Sequence, residues 1–476
     1  METERLTPEE NKQQFFEDIK ILVSSVILQR NNKEATELIT SFIKNNFYLQ
    51  TLRHDEKTEI WIYKDGIYLP NGKSYVEELC RTILRDNYNN RFRNEVIIKL
   101  TADTYIDQET FFTKQNDHIN IIPVINGLLN IETKELKPFS PNIFFFNKLP
   151  VFFEPGRECP KILGFLRSVL ANNDDVLTIQ ELFGFSMLKE YRYEKSFMMI
   201  GGGRNGKGKL IDLLKRFLGY ENCANLSLRK IEKDGFSICE LQNKLINISG
   251  DIGKHALEDT SEFKALTGRD MIHASRKFKT MIKFENYAKM IFATNELPKS
   301  SDMTSAFFQR WEIINFPYTF FNPIDYELYK GDRFARLRNP NIIRDILSPE
   351  ELSGLLNWAL LGLERLQELK VFTTTKSSDY VRRDWICRSD SALSFVNELL
   401  VDNYENFLSW SLLKSTYKDY CSVNGLKMLN DKDLRVAITD NTVAISSRQY
   451  LGDKQVRGYD GVSWRKLGVV VEEVTF

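Results

Sequence analysis

Residues 196–210 read Ser-Phe-Met-Met-Ile-Gly-Gly-Gly-Arg-Asn-Gly-Lys-Gly-Lys-Leu, and this stretch limits the possible folds more than any other. Residues 196–200 have the length and apolarity of a short buried strand, and residues 210–214 open a helix. Between them, Gly201, Gly202, Gly203, Arg204, Asn205 and Gly206 form a loop whose backbone can come close to an anion. Lys207, Gly208 and Lys209 follow. Strand, glycine loop, lysine and helix together make a phosphate cradle, in which amide donors and a helix N-terminus face negative charge and the lysine reaches terminal phosphates. The spacing Gly201-x-x-x-x-Gly206-Lys207 predicts nucleotide binding; the alternative is a plain glycine-rich turn. Gly208 stands where a Ser or Thr hydroxyl normally helps to hold Mg²⁺.

A chain of 476 residues has room for about three domains and at least one large core. Lys plus Arg and Asp plus Glu each total 65, so any nucleic-acid surface must be local. Six scattered cysteines without a C-x-x-C pair argue against disulfide staples and a zinc ribbon, as in a reducing cytosol. The four histidines also lack metal-ligand spacing. No apolar run approaches the ~20 residues of a membrane span, and the charged start carries no signal-peptide pattern. A soluble protein of the host cell cytoplasm is expected.

In chain order, Phe15, Ile19, Leu22 and Val26 follow one helical stripe, and Leu38, Ile39, Phe42 and Ile43 a second. Two apolar runs around Lys64-Asp-Gly66 signal a hairpin, and helical pattern resumes over 74–85. Residues 1–120 are expected to form a small α+β accessory domain, and 121–193 a lead-in of broken strands and paired helices. Residues 197–200, 245–248 and 290–293 are short apolar runs without strict alternation, the pattern of fully buried parallel strands. They place an α/β core in 194–370. Residues 372–379 are polar and aperiodic, as in a linker.

Around that core sit further candidate residues. Asp251, just past the second apolar run, would hold Mg²⁺ through water or ready an attacking water; the alternative is an acid capping a turn. Glu258 and Asp259 are weaker candidates for a second acid. Asn295 ends the third run, where its amide can contact a γ-phosphate and the attacking water, or simply start a turn. Arg310 precedes another apolar strand and could reach the phosphoryl group of a neighbouring subunit, or pair with a surface acid. Residues 270–284 read as a hairpin with Arg276, Lys277, Phe278 and Lys279 at its tip, a composition suited to phosphate backbone and base; a solvated hairpin would also carry lysines.

This order of phosphate loop, acid, basic hairpin, Asn and Arg resembles a superfamily 3 helicase of the AAA+ class, most closely the phage/plasmid and large-DNA-virus primase–helicase group. The matching residues are 201–207, 247–251, 263–268, 276–278, 292–298 and 308–311. The similarity extends back over 122–184, the segment that precedes the helicase in that group, so that it covers well over half the chain. The resemblance implies an ATP- and Mg²⁺-dependent ring, usually hexameric, that translocates on single-stranded or forked DNA at the replication fork of a phage, plasmid or mobile element. It assigns phosphate binding to Lys207, the catalytic acid to Asp251, the sensor to Asn295, the finger to Arg310 and channel contacts to Arg276 and Lys277. Three positions depart from the family pattern: Gly208 lacks the hydroxyl, Asp251 stands where Glu is frequent, and Gln309 replaces an arginine that often accompanies the finger. No primase half is visible in the first 120 residues, so a separate primase or polymerase would be the partner.

Residues 381–476 read as helix, turn, helix and a two-stranded basic ribbon, a winged-helix pattern of the kind that often ends this family. Lys432 and Arg435 would enter a major groove while Arg448, Lys454 and Arg457 contact phosphates; a wing used only for protein contacts is the alternative. The expected architecture is an α/β AAA+ core preceded by an α+β domain and followed by a winged-helix domain. The expected function is DNA unwinding, with an AAA+ DNA-binding assembly switch of slow hydrolysis as the alternative.

Overall fold

The computed structural model describes residues 8–53, 58–250, 257–276, 279–452 and 454–465. The chain opens with α1 (Pro8–Leu28) and α2 (Asn32–Asn46), followed by β1 (Leu49–Leu52), β2 (Glu59–Lys64) and β3 (Ile67–Leu69). Then come α3 (Gly72–Leu84), α4 (Asn90–Asp103), β4 (Tyr105–Ile106) and α5 (Gln108–Thr113). The strands form one mixed sheet in the order β3-β2-β1-β4, with the expected hairpin closing at Asp65-Gly66 between β2 and β3. This is an α+β arrangement with its own core. In α1 the buried stripe is Ile19, Val23 and Val26, whereas Leu22 is 46% exposed. Of the expected stripe, Ile19 and Val26 are buried, but Val23, four residues after Ile19, takes the place in the core expected for Leu22, which falls on the flank.

Next come β5 (Ile121–Val124), β6 (Gly127–Asn130) and β7 (Leu136–Lys137), an antiparallel set, and the helices α6 (Pro160–Val169) and α7 (Asn173–Met187). Asn172 caps α7, its side chain accepting from Asp175 N–H at 2.9 Å. The break from the accessory region is not clean. Trp61 and Tyr68 of its sheet pack with Phe111, Phe144 and Phe146 in a shared aromatic cluster.

The central unit then runs β8 (Ser196–Ile200), α8 (Lys207–Leu218), β9 (Cys223–Ala224), α9 (Leu228–Lys233) and β10 (Ile246–Ser249). After α10 (Ser261–Thr267), the hairpin β11 (Met271–Arg276) and β12 (Lys279–Glu285) leads to β13 (Lys289–Thr294), α11 (Ser305–Phe308) and β14 (Trp311–Asn315). The five core strands stand in the order β14-β8-β13-β10-β9, and every pairing is parallel. All three apolar runs of the sequence lie in this sheet, and β8, β10 and β13 are buried along their whole length. From β8 the chain crosses to the β9 edge, whereas from β13 it crosses to the opposite edge at β14. The connections thus diverge beside β8, and in parallel sheets that divergence opens a crevice at the carboxyl ends of the strands.

Beyond the sheet lie β15 (Thr319–Phe321), α12 (Pro323–Tyr329), β16 (Ala335–Leu337), α13 (Ile342–Ile346), α14 (Pro349–Leu369) and α15 (Ser378–Ser389). Helix α14 packs along α7 at very short range. A Cβ at Gly184 would sit 2.6 Å from the Ala359 carbonyl oxygen, and one at Gly362 would sit 2.6 Å from the Gln180 backbone. One continuous core therefore joins the lead-in, the sheet and α14–α15. The segment 372–379, expected as a linker, is instead tied down. Phe372 is buried, Thr373 N–H donates to Glu181 at 2.8 Å, and Thr375 donates to Glu312. These two buried carboxylates also pair with Arg365 and Lys195, respectively, which offsets their desolvation.

The C-terminal unit holds α16 (Ser391–Leu399), β17 (Leu400–Ser409), α17 (Trp410–Val423), α18 (Asp431–Asn441), β18 (Ile445–Leu451) and β19 (Lys454–Trp464) around a separate core. Its sheet has three antiparallel strands, β17-β19-β18, rather than the two expected. The missed strand is polar and exposed through its middle, Asp402 to Glu405, so no alternating apolar signal marks it. Asn430 caps α18, accepting from Lys432 N–H and Asp433 N–H.

Candidate nucleotide and nucleic-acid sites

Strand β8 ends at Ile200, and the glycine loop turns directly into α8, whose first residue is Lys207. Gly206 has φ +92° and a Cβ there would lie 2.5 Å from Val169 Cγ1, so both backbone and space select glycine. The other side of the loop is held by Phe320 N–H, which donates to the Arg204 carbonyl at 2.7 Å. Lys207 is 8% exposed; its Nζ donates to the Gly201 carbonyl and to Asn295 Oδ1, the latter at 3.2 Å. Asn295 directly follows β13, the strand beside β8, so the sheet brings together two residues 88 positions apart. Asn205 is buried, and its Nδ2 has no hydrogen-bond partner among the described residues.

That orphaned donor, the first-turn amides of α8 and the Lys207 ammonium form a donor-rich cradle that fits a phosphate chain. Next to it lies a cavity of about 760 Å³, walled by Phe165, Val169, Phe320 and Leu337, with Arg204 and Arg338 as polar lining. Helix α6 of the lead-in thus supplies part of the wall. Gly208 and Lys209 line the same cavity, and a Cβ added at Gly208 would meet nothing within 4 Å.

The other expected site residues fall in several places. Strand β10 ends at Ser249, but Asp251 lies outside the described residues. Glu258 and Asp259 are exposed, and their backbone N–H groups donate to Glu232 at 2.9 and 3.1 Å. Among the described residues no group of three His, Cys, Asp or Glu side chains could hold a metal ion. Arg310 sits at the amino end of β14, where its carbonyl accepts from Ser196 N–H at 2.6 Å. That is the end of the sheet opposite Lys207. Its guanidinium is held within the chain by Thr267 Oγ1 at 2.9 Å, the Ala306 carbonyl and, more loosely, Glu194 at 3.8 Å. Gln309 beside it is exposed.

The hairpin forms as expected, with Arg276 paired in register with Lys279 where the strands close. Lys277 and Phe278 lie outside the described residues. In the C-terminal unit Lys432 is exposed on α18, while Arg435 is half-buried and stacked over the Trp410 ring at 3.7 Å. Arg448, Lys454 and Arg457 are exposed on the ribbon. Arg448 and Arg457 face each other in register, a like-charge pair that a bound anion would relieve.

Comparison with known proteins adds two family profiles. One, described as "D5 N terminal like", matches residues 41–171; another, a family of unknown function (DUF5906), matches residues 199–310. The chain is similar to viral proteins named for helicase and primase. "Putative helicase L207/L206" of Acanthamoeba polyphaga mimivirus is 25% identical over 245 residues, covering 49% of this chain and 25% of that protein. "Putative primase C962R" of African swine fever virus (isolate Warthog/Namibia/Wart80/1980) is 23% identical over 245 residues, covering 47% of this chain and 25% of that protein. The match thus spans about a quarter of the length of these relatives. Among solved structures, the A form apo structure of the NrS-1 C-terminal region aligns over 89% of this chain and 98% of that one, at 12% identity and a TM-score of 0.44. No helix among the described residues is long and apolar enough to cross a membrane.

Proposed function

We propose that the protein is an ATP-dependent DNA translocase of the superfamily 3, AAA+ kind, acting as a ring in the replication of a virus, phage, plasmid or mobile element. The observation that carries this reading is the 3.2 Å contact between Lys207 Nζ and Asn295 Oδ1 at the carboxyl end of the parallel sheet. A lysine ammonium and a polar amide are there brought to one point beside a glycine loop with a spare buried donor. In this reading the loop amides, Asn205 and Lys207 bind and orient the triphosphate, and Asn295 positions the attacking water. Asp251 is assigned as the acid and as the protein's contact to Mg²⁺; when bound, the metal would offset charge on the phosphates. Arg310, at the far end of the sheet, would serve the pocket of a neighbouring subunit. The hairpin would grip a single strand, and the C-terminal unit, read as a winged helix, would contact duplex through Lys432 and the ribbon cations. The names of the viral relatives support a role in replication.

A second reading is favoured by one observation, the missing hydroxyl at Gly208. The protein would then hydrolyse ATP slowly and use it mainly to assemble on DNA. Strand displacement on a forked duplex separates the two. The first reading expects ATP-dependent displacement, with Lys207→Ala lowering turnover by at least about 10²-fold. ATP-dependent assembly without displacement favours the second, and wild-type turnover unchanged in Lys207→Ala overturns both.

A further inference from the structure

At the amino ends of the core strands, opposite the phosphate loop, the structure holds a second cleft of about 870 Å³. Its floor is built from residues that just precede strands: Lys189 before β8, Gln242 and Asn243 before β10, and Tyr287 before β13. One wall is the outer face of the hairpin, where Met271 is in register with Glu285 and His273 with Lys283. The inner face of that hairpin, Ile272, Ala274 and Ile282, is buried in the core, which fixes the outer face toward the cleft. The facing wall is Phe112 of α5, with Gln115 and Asn116 in the turn after it.

Two of these side chains are buried without the hydrogen bonds they need. Lys189 is 7% exposed, and its Nζ has no hydrogen-bond partner among the described residues, resting only over the Phe145 ring at 3.7 Å. Gln115 is 6% exposed, and its Oε1 has no hydrogen-bond partner there either. An unmet donor and an unmet acceptor lining one cleft are unfavourable unless a ligand supplies the complement. Burial also holds the Lys189 ammonium well below its usual pKa, so the group is ready to bond a polar atom without a fixed counter-ion.

The lining chemistry identifies the ligand class. Gln115, Asn116, Gln242 and Asn243 offer amides that can pair with the donor and acceptor edge of a base. Phe112, Met271 and Met281 offer aromatic and thioether surface for its face. Around them, Lys283 forms no ion pair among the described residues, whereas Arg269 is occupied by Glu285 at 3.1 Å. The Asp107 carboxyl is held below its usual pKa by Thr110 N–H at 3.0 Å and, to a lesser degree, by Arg53. Glu109 and Glu190, the latter paired with Arg192, also line the cleft. An amide-lined, partly apolar cleft suits a base, and Lys283 at its rim is the cation left for the phosphate attached to it. The volume is within the usual range for small-ligand sites.

We propose that this cleft binds an unpaired nucleobase with its phosphate, held out from a single strand that the β11–β12 hairpin grips. The proposal rests on the nucleic-acid reading above for the source of the base. It makes the accessory region part of the nucleic-acid path.

Photo-crosslinking of the full-length chain with an oligodeoxynucleotide carrying 5-iododeoxyuridine tests it. Label is expected on peptides within 107–119 and 271–285. An abasic position in place of the reactive base is expected to weaken binding about fivefold or more in the wild type and to have no effect in the Lys189→Met, Gln115→Leu double variant. A second arm adds excess thymidine 5′-monophosphate. If it blocks cleft labelling while the oligonucleotide stays bound, the occupant is a free nucleotide rather than a strand. Oligonucleotide binding with an unlabelled cleft and a silent abasic substitution overturns the proposal and leaves the DNA reading standing. If the oligonucleotide does not bind at all, the DNA reading fails, and 5-iododeoxyuridine monophosphate then decides the cleft alone. Labelling there keeps a free-nucleotide site; none overturns it.

Discussion

Position 208 carries no side chain in the first turn of α8, and an added Cβ there meets nothing within 4 Å. A hydroxyl can therefore be restored without displacing a neighbour. Gly208→Thr is expected to lower the Mg²⁺ needed for half-maximal ATP turnover roughly tenfold, the scale on which supporting contacts tune a metal site. Titration of turnover against Mg²⁺ checks this, and an unchanged midpoint would mean that the metal never approaches residue 208. Gly206 tolerates no such change, because a side chain would meet both a positive φ and Val169. Asn205 and Lys207 are both buried but differently placed: the lysine has carbonyl and amide acceptors, whereas the Asn205 Nδ2 has none among the described residues.

Helices α7 and α14 touch backbone to backbone, and this contact joins the lead-in to the helix that follows the sheet. Gly362→Ala would push a methyl group into the Gln180 carbonyl and should cost about 1–3 kcal/mol. Chemical denaturation would read it as a lower midpoint with an unchanged slope; a neutral result would show that the helices can part without loss. The β18–β19 ribbon allows a different test. Arg448 and Arg457 form an exposed cross-strand pair with no structural demand for two cations. If they contact phosphates, removing both should lower the slope of log affinity against log salt by about 2 and weaken binding evenly across DNA sequences. A slope equal to wild type would assign the ribbon to protein contacts instead.

For the whole molecule, the main geometric fact is separation. The glycine loop opens at one end of the parallel sheet and Arg310 lies at the other, so one chain cannot bring Lys207 and Arg310 to one point. Under the ring reading, particle mass should rise on adding ATP and DNA. Arg310→Ala should keep nucleotide binding but lose about 10³-fold or more in turnover. Mixing Arg310→Ala with Lys207→Ala subunits should restore part of that turnover, since each supplies what the other lacks across an interface. No recovery, with both variants folded and assembled, would confine Arg310 to its bonds with Thr267, Ala306 and Glu194. The C-terminal unit meets the central one close to Asn295, through Lys427 with Glu296 at 2.9 Å and Lys299 with Asp390. Exposed pairs of this kind contribute little energy, so the two units are not locked together by them.

Short-range chemistry in the chain was enough to locate the glycine loop between β8 and α8, the buried parallel strands, and the β2–β3 and β11–β12 hairpins. Each of these depends on neighbouring residues whose backbone preference, apolarity and charge agree. Packing alone decided the rest. Asn295 meets Lys207 only because β13 lies beside β8; residues 372–379 are anchored only because Glu181 and Glu312 are buried beneath them. Lys189 and Gln115 carry no sequence pattern at all, and strand β17 hides its pairing behind polar residues. Burial, register and an unmet hydrogen bond are properties of residues far apart in the chain, and they exist only once the chain has folded.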